Sequence, residues 1–391
     1  MQSPAREPDP ASPPGATARA GDQHVDVSIL VPVLNEEAHI RDTVRAMQAQ
    51  RFDGQLEILF ADGRSEDRTR AILEELARED PSIRVLDNPA RHSTGGLNVG
   101  LREARGTYVA RMDGHSFYPP DYVRLGVERL ERGDVDWVSG PQIPRPIGPV
   151  SRGVALALDT WLGRGASRKW AAEAAEGKEA SADGEFELDT GVFAGVWRRD
   201  DLLEHGGWDE RWPINQDSEL AARFLERGQR LVCLPAMGAL YIPRDSLTAL
   251  ARQHWRYGIY RARTAKHHPG SLRRSYLGAP GVALTALAAL IAPRPVRTVA
   301  RAGLAAYAVG IAAVSAGAAR RLDEPRDAAA LPAVLVVMHL THGLGFLAGS
   351  VRFGIPIPAI VQAVRSKPDS LTPDQGARPP ASGAVSAADG Q

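Results

Sequence analysis

The sequence of 391 residues predicts an α/β domain with a mainly parallel sheet, followed by a region of long apolar helices. Between about residues 25 and 240, apolar β-branched runs alternate with helical stretches, and a basic strip and three uncharged segments come afterwards. Strands that alternate with helices of 10–15 residues indicate βαβ units, which form parallel sheets. Residues 1–24 and 366–391 are rich in Pro, Ala and polar residues and are predicted to be disordered tails.

Four apolar runs define the first part of the α/β domain. The run DVSILVPV (26–33) is apolar almost throughout, which is the pattern of a strand buried on both faces. The predicted elements are strands 26–33, 55–62, 83–88 and 107–113, with helices 35–50, 65–80 and 97–104 between them. In such a sheet, ligands bind beyond the carboxyl ends of the strands.

The second part of the chain suggests a membrane. Residues 244–274 contain eight lysines and arginines and one acid, which predicts a basic interfacial region. The segments 275–293, 302–319 and 328–351 have no Asp, Glu, Lys or Arg, and their lengths are 19, 18 and 24 residues. A spanning helix needs roughly 20 residues. We therefore expect 275–353 to be a membrane segment of two to three helices; a buried, alanine-rich helical domain is the alternative.

The arginines of one connection complicate the topology. With the α/β domain inside and three full spans, Arg294, Arg297 and Arg301 would lie outside, against the positive-inside tendency. A shallow or re-entrant first segment is the alternative.

The overall composition excludes several classes of protein. The chain has 47 lysines and arginines and 47 acids, so a dedicated nucleic-acid binder, which usually has a basic excess, is not expected. The single cysteine, Cys233, allows neither an internal disulfide nor a cysteine-zinc cluster.

Polar and acidic residues follow three of the predicted strands. Asn35 and Glu36 follow the first strand, Asp62 ends the second and Asp113 ends the fourth. A crevice rich in carboxylates suits a nucleotide base that donates N–H groups and a metal that offsets diphosphate charge. For Asp62, capping of the next helix is the alternative.

Several motifs resemble glycosyltransferase family 2, whose fold is called GT-A. The matching stretches are VPVLNEE (31–37), ADGRSEDRT (61–69), GGLNVGLREARGTYVARMDGH (95–115) and NQDSEL (215–220). The resemblance covers about 26–265, and we expect the GT-A domain to occupy 25–243. MDGHSFYPPDYV (112–123) and DTGVFAGVWRRD (189–200) are similar to bacterial exopolysaccharide chain-building enzymes of the succinoglycan type.

The resemblance implies a nucleotide-diphospho sugar as donor, with a UDP-sugar favoured, and a divalent metal, Mn²⁺ or Mg²⁺. The residues that match nucleotide-holding positions are Pro32, Asn35, Glu36 and Asp62, with Asp62 facing the base. Asp113 and His115 match the D-x-D motif that holds the metal on the donor diphosphate. His115 replaces the usual second acid, which leaves the metal preference open. For His115, the alternative is a contact with a residue that itself binds the metal, or with the acceptor.

The resemblance assigns the catalytic base to Asp217. An inverting transfer needs a carboxylate that accepts the proton of the acceptor hydroxyl. Gln216 occupies the position where the family commonly has glutamate. Capping of the following helix is an alternative for Asp217 that does not exclude the first. Glu219 is expected to project from another face of that helix.

Residues 253–257, QHWRY, resemble the Q-x-x-R-W motif of processive family members. The resemblance implies that Gln253 and Arg256 contact donor phosphate or acceptor from a helix at the membrane surface. The apolar residues expected on one face of this helix are Leu247, Ala251, Trp255, Ile259 and Ala262. An interfacial helix without a catalytic part is the alternative.

Two further features have two readings each. Trp208 is either a stacking surface for a sugar or a core tryptophan. The segment 168–189 mixes charges with Gly and Ser, and it is either a solvated loop or a lid over the donor.

The sequence thus predicts a membrane-bound, inverting glycosyltransferase with its catalytic domain in the cytoplasm at the inner (plasma) membrane. Its expected acceptor is a lipid-linked saccharide in exopolysaccharide or cell-envelope glycan synthesis, and polysaccharide-assembly proteins are possible partners. The alternatives are a polyprenyl-phosphate sugar synthase and a catalytically silent assembly subunit.

Overall fold

The computed structural model of the protein describes residues 24–114, 116–165, 167 and 184–366. In chain order, the first elements are β1 (Val27–Val33), α1 (Ile40–Gln48), β2 (Leu56–Asp62), α2 (Thr69–Glu79), β3 (Ile83–Asp87), α3 (Ser93–Glu103), β4 (Tyr108–Arg111), β5 (Ser116–Phe117), α4 (Tyr122–Glu131), β6 (Trp137–Ser139) and β7 (Gln142–Pro144). Next come α5 (Pro149–Asp159), α6 (Trp161–Arg164), β8 (Phe186–Leu188), β9 (Gly195–Arg198), α7 (Arg199–Glu204), α8 (Gln216–Glu226), β10 (Leu231–Cys233), β11 (Ala239–Tyr241) and α9 (Leu247–His267). The last helices are α10 (Gly278–Ile291), α11 (Arg294–Ala319), α12 (Leu331–Phe353) and α13 (Ile357–Arg365).

Within the described residues, eight strands form one mostly parallel sheet, in the order β3-β2-β1-β4-β9-β6-β10-β8. β1 pairs in parallel with β2 on one side and with β4 on the other. β9 and β8 run antiparallel to their neighbours, and β5, β11 and β7 form a small second sheet. The predicted α/β fold class is confirmed, and the loops after β1, β2 and β4 meet at one edge of the sheet.

Alternate residues of β1 enter two different apolar cores. Ile29 and Val31 belong to a core that also contains Ile40 of α1, whereas Leu30 packs with Leu97 of α3 on the other face. This alternation follows from the two-residue period of a strand. Helices therefore cover both faces of the sheet. A ligand can reach the sheet where the parallel strands end, at their carboxyl ends.

Two helices begin later than the sequence predicts. α1 begins at Ile40 instead of about Asn35, and α2 begins at Thr69 instead of about Ser65. Asn35 has a left-handed backbone (φ 55°), which interrupts a helix and is tolerated by asparagine better than by most residues. The residues before each helix instead form loops that bond to each other.

Three long apolar helical segments follow the α/β domain, as predicted. They span Arg274–Ile291, Arg294–Ala319 and Pro325–Phe353, and each is long and apolar enough to cross a membrane. The first of them includes a short 3-10 turn before α10, and the third includes another before α12.

Helix α9 packs along α12 through glycines. A Cβ atom on Gly258 would lie 2.1 Å from the carbonyl oxygen of His342, and one on Gly345 would lie 2.2 Å from that of Trp255. Small residues of this kind let two helix backbones approach closely.

The apolar face predicted for α9 is only partly correct. Ala262 is fully buried, but Leu247 and Trp255 are 38% and 40% exposed. The buried residues of α9 are Leu250, Gly258, Arg261, Ala262, Thr264 and Ala265. The glycine contacts to α12 decide which face is covered, and an apolar period does not reveal them.

Candidate active site

The loops after β1 and β2 are joined by hydrogen bonds. The backbone N–H of Asn35 donates to Ser65 Oγ at 2.9 Å, and Asn35 Oδ1 accepts from the N–H of Glu66 at 2.8 Å. The N–H of Glu36 donates to Thr69 Oγ1 at 2.7 Å. Two of the predicted nucleotide-binding residues thus also hold the shape of this edge.

Asp62 lies at the end of β2, and its side chain is fully buried. Its Oδ1 accepts from Ser65 Oγ at 2.6 Å and from the Ser65 N–H at 3.2 Å. Arg70 Nη1 lies 3.6 Å from its Oδ2. Asp62 therefore caps the turn after β2 and not helix α2, which begins at Thr69, so the helix-capping alternative is wrong. Its contact with a nucleotide base stays a prediction.

Pro32 packs below the start of α3. It pairs with Ala61 across the sheet, and a Cβ atom on Gly96 would lie 3.1 Å from its own Cβ. The ring therefore shapes the floor of this edge.

Asp113 follows β4 and shares its carboxylate with a buried arginine. Arg111 is 3% exposed, and it donates from Nε to Asp113 Oδ1 at 3.0 Å and from Nη2 to Oδ2 at 3.3 Å. The N–H of Asp113 donates to Tyr118 Oη at 2.7 Å. The side chain of Asp113 is 16% exposed, so one edge of the carboxylate can still reach a ligand.

The charge of Asp217 acts on the same arginine. Burial alone would lower the pKa of Arg111. The charge and the hydrogen bonds of Asp113, together with the charge of Asp217, outweigh burial and raise that pKa. The structure thus brings together two predicted functional carboxylates from distant parts of the chain.

Asp217 lies in the first turn of α8, which begins after Asn215 in a left-handed conformation (φ 66°). Gly191 packs directly against it, since a Cβ atom there would lie 2.1 Å from the carbonyl oxygen of Asp217. Thr190 Oγ1 donates to Ser218 Oγ at 3.2 Å. The start of the helix is therefore fixed by the loop before β9, which gives Asp217 a rigid mount.

Helix α9 contributes the other side of the site. Gln253 Nε2 donates to the hydroxyl of Tyr257 at 3.0 Å. Desolvation and the charge of Asp217 raise the pKa of Tyr257, whereas the bond from Gln253 and the charges of Arg244 and Arg256 act in the opposite direction. The QHWRY segment thus lies near Asp217, and Arg256 is exposed there.

Comparison with known proteins shows what the α/β domain is similar to. The family model described as glycosyl transferase family 2 matches residues 28–179. Through this part of its α/β domain, the chain is similar to glycosyltransferase family 2. Its mostly parallel domain is GT-A-like and is followed by long apolar helices.

Two curated relatives and one solved structure illustrate the family. The chain is 29% identical to the succinoglycan biosynthesis protein ExoA of Rhizobium meliloti (strain 1021), over 81% of this chain and 93% of that protein. It is 22% identical to a dolichyl N-acetyl-alpha-D-glucosaminyl phosphate 3-beta-D-2,3-diacetamido-2,3-dideoxy-beta-D-glucuronosyltransferase of Methanococcus voltae, over 59% of this chain and 71% of that one. The mannosyltransferase PcManGT from Pyrobaculum calidifontis, solved with GDP-Man and Mn²⁺, matches at a TM-score of 0.48 and 20% identity, over 88% of both chains.

The metal-binding residues predicted for this domain are only partly described. His115 and residues 168–183 of the predicted lid lie outside the described residues. In the part of the chain that the structure describes, no group of three His, Cys, Asp or Glu residues could hold a metal ion. The partly exposed carboxylate of Asp113 fits a site in which one protein carboxylate, the donor diphosphate and water share the metal.

Two residues near the family motifs have structural functions. Trp208 is 1% exposed and packs edge-on against Trp197, with ring centroids 5.8 Å apart. It is a core residue, which is one of the two interpretations of the sequence, and it offers no surface for a sugar. Glu219 pairs with Arg223 at 2.8 Å and with His268 at 3.5 Å, away from the candidate base, as expected.

Part of the predicted loop 168–189 is a strand. Phe186–Leu188 forms β8, which pairs antiparallel with β10 at the edge of the sheet. Glu185, just before it, accepts from Arg129 Nη2 at 2.9 Å. The end of this segment is therefore part of the domain.

Sequence reasoning missed Arg111, Tyr118 and Arg244. For Arg111 a signal exists, because a charged residue inside the apolar run TYVARMD must have a buried partner. Asp113, two residues later, projects to the same side in extended chain. Tyr118 reaches the N–H of Asp113 through the local turn between them, which no pattern in the sequence indicates. Arg244 carries no signal either, because only the folding of distant segments brings it near Tyr257.

Proposed function

We propose that the protein is an inverting glycosyltransferase that moves a sugar from a nucleotide-diphospho sugar to a hydroxyl of a lipid-linked saccharide. The observation that carries this proposal is that Asp113 and Asp217 act on one buried cation, Arg111, at the edge of the sheet. We assign one of these carboxylates to the donor and the other to the proton of the acceptor.

The proposed step assigns one function to each carboxylate. Asp217 accepts the proton of the acceptor hydroxyl while its oxygen bonds to the anomeric carbon. The bond from that carbon to the diphosphate breaks on the opposite face, so the configuration inverts and nucleoside diphosphate leaves. A divalent metal, Mn²⁺ or Mg²⁺, held by Asp113 and His115 on the diphosphate, would neutralise the charge of the leaving group.

The remaining predicted residues bind substrates. Pro32, Asn35, Glu36 and Asp62 line or support the edge at which the nucleotide is expected, and a UDP-sugar is the favoured donor. Gln253 and Arg256 approach from α9, where a guanidinium suits a phosphate of the donor or of the acceptor lipid. A cation on the helix that also contacts the apolar helices is well suited to a lipid-linked substrate.

Two relatives support the choice of acceptor. The name of one connects it to succinoglycan biosynthesis, and the name of the other describes transfer to a sugar that is already linked to a dolichyl phosphate. We therefore propose a saccharide acceptor on a lipid, in exopolysaccharide or cell-envelope glycan synthesis. The three long apolar helices support work at the inner (plasma) membrane, with the catalytic domain in the cytoplasm, where activated sugars are made.

The test is to identify the product. Membranes that contain the protein are incubated with a panel of radiolabelled nucleotide sugars and lipid-linked saccharides, with Asp217→Asn as the inactive control and Asp200→Asn as the matched one. Asp200 is 93% exposed and lies outside the site. We expect label in the lipid extract, joined to a sugar hydroxyl. A sugar phosphate ester on lipid would instead identify a polyprenyl-phosphate sugar synthase, and no transfer from any donor would indicate a silent subunit.

A further inference from the structure

Helix α12 is enclosed by protein to a far greater extent than the two apolar helices before it. Between Leu331 and Ser350, only Ala333 is exposed. In the apolar window of this segment 39% of residues are buried, against 17% in the window of Arg274–Ile291 and 11% in that of Arg294–Ala319. A helix that faces lipid on most sides would not be covered in this way.

Both ends of α12 are held by the catalytic domain and by α9. At the amino-terminal end, Gly153 of α5 packs on Ala330 and Val334, where a Cβ atom would lie 3.1 and 3.0 Å from their side chains. At the other end, the guanidinium of Arg263 lies 5.0 Å from the ring centre of Phe353 and 4.2 Å from that of the buried Trp212. Helix α12 is therefore packed on α5 and α9, and α10 covers a further side, since a Cβ atom on Gly343 would lie 2.1 Å from the carbonyl oxygen of Ala279.

Exposed arginines of the neighbouring helix α9 lie beside α12. Helix α9 runs beside it in the same direction, since Trp255 meets Gly345 and Ile259 meets Gly349. Arg252 and Arg256 are exposed on α9. If α12 crossed the hydrocarbon core, α9 and its arginines would enter with it, which is strongly unfavourable.

The two remaining apolar helices are connected closely and have basic ends. Helix α10 has 14 residues, so its length is about 21 Å, against a hydrocarbon core of about 30 Å. Two residues separate it from α11, whose first turns carry Arg294, Arg297 and Arg301. The second half of α11 returns along α12, where Tyr307 Oη and His339 Nδ1 are 2.8 Å apart.

The apolar side chains at the outer surface of this region face away from the catalytic domain's core. Those on α10 and α11 include Leu290, Ile291, Val299 and Val309, which are 72%, 82%, 73% and 69% exposed. The short helix α13 adds Ile357, Val361 and Val364 on one side, with Ala359 and Ala363 buried on the other. A surface of this kind, with arginines at its margins, fits acyl chains and anionic headgroups.

We propose that α10, α11 and α13 dip into the cytoplasmic leaflet and that no described helix crosses the bilayer. Helix α12 then stays on the catalytic domain, and the basic connections all remain on the cytoplasmic side, as the positive-inside tendency requires. This inference rests on the membrane location in the proposed function. It differs from three crossings, in which Arg294, Arg297 and Arg301 would lie outside.

Three single cysteines test this topology. Cys233 is the one cysteine of the chain and is buried, so Cys233→Ala gives a background without thiols. Thr298→Cys, Asp323→Cys and Ser366→Cys place exposed reporters at the start of α11, between α11 and α12, and after α13. Each variant is treated with a membrane-impermeant maleimide in intact cells and in inverted membrane vesicles. Should Cys233→Ala lower the yield, the native background serves, with the parent chain as the blank.

We expect all three cysteines to react in inverted vesicles and none to react in intact cells. Labelling of Thr298→Cys and Ser366→Cys in intact cells, with Asp323→Cys protected, would establish three crossings and overturn the proposal. Labelling of Thr298→Cys alone would establish a crossing hairpin and overturn it equally. If high salt without detergent releases the protein, the helices are not inserted into the membrane at all. The membrane location in the proposed function would then be wrong as well. Disulfide-linked dimers of Val309→Cys in such released protein would assign the apolar surface to a second copy of the chain.

Discussion

Arg111 donates to both carboxylate oxygens of Asp113, at 3.0 and 3.3 Å, from a position two residues earlier in the chain. Both residues lie at the end of β4, and Arg111 is almost completely buried. The guanidinium orients the carboxylate of Asp113 through two hydrogen bonds, and the charge of Asp217 acts on the same guanidinium from another element. Arg111 thus connects the donor side of the site to the acceptor side as a positioning residue.

Replacement of Arg111 should lower both stability and donor binding. Arg111→Met leaves the carboxylate of Asp113 without its buried partner, and loss of one partner of such a pair costs roughly 3 kcal/mol or more. Arg111→Lys keeps the charge but loses the two-point contact, so we expect a smaller loss of stability and a reduced transfer rate. Thermal unfolding and nucleotide titration of both variants measure this. Wild-type donor affinity in Arg111→Met would contradict the assignment.

Transfer should depend on a divalent metal, and the metal should bind well only together with the nucleotide. Asp113 already shares its charge with Arg111, so the bare site attracts a cation weakly, and the donor diphosphate supplies the missing ligands. We expect chelation to abolish transfer and Mn²⁺ to restore it at least as well as Mg²⁺. Calorimetric titration of Mn²⁺ with and without nucleoside diphosphate measures the coupling. Undiminished activity in excess EDTA would refute metal dependence.

Asp217→Asn should reduce turnover and leave the donor site intact. Asparagine keeps the size of aspartate but does not accept a proton at neutral pH, so we expect transfer to fall by about two to four orders of magnitude. Donor affinity should stay nearly unchanged, whereas Asp113→Asn should weaken metal-dependent nucleotide binding and turnover together. Initial rates and donor calorimetry on both variants decide the matter. A rate for Asp217→Asn within tenfold of wild type would mean that another group is the base.

The sequence predicts the parallel sheet well because its signals are local. The apolar runs before Asn35, Asp62 and Asp113 are long and bounded, and parallel strands end at a common edge, so the positions of the three residues follow from the chain. The starts of α1 and α2 could not be predicted, because hydrogen bonds between two loops 30 residues apart determine them.

The site itself is less predictable because its parts come from distant segments. Trp208 fits a sugar platform and a core residue equally well in the sequence, and only its contact with Trp197 decides between the two. Which face of α9 is buried depends on the contact between Gly258 and α12, and the apolar period of the sequence does not reveal that contact. Packing between elements, and not propensity within them, limits the prediction.

Gly191 should be required for the position of Asp217. A Cβ atom at Gly191 would lie 2.1 Å from the carbonyl oxygen of Asp217, so Gly191→Ala must displace the start of α8. We expect a loss of transfer of tenfold or more with donor affinity nearly retained, together with a lower unfolding temperature. Gly278→Ala is the matched control, since no atom lies within 4 Å of a Cβ placed there. Equal activity of the two variants would mean that the loop before β9 yields without moving Asp217.

The stability supplied by His268 should depend on pH. Its ring contacts Glu219, with Nε2 3.5 Å from Oε1, and Glu226, with Nδ1 2.9 Å from Oε1. The hydrogen bond with Glu219, followed by the contacts with Glu226, raises the pKa of His268 above its ordinary value, although burial opposes this. Because the pKa is higher in the folded state, the contribution is complete below about pH 6.5 and disappears as the pH rises through the folded-state pKa. We therefore expect His268→Gln to lower the free energy of unfolding by roughly 1 kcal/mol at pH 6 and by much less at pH 9. Denaturant unfolding in detergent at both values measures the difference, and an equal loss at the two values would show that the imidazole acts through packing and not through its charge.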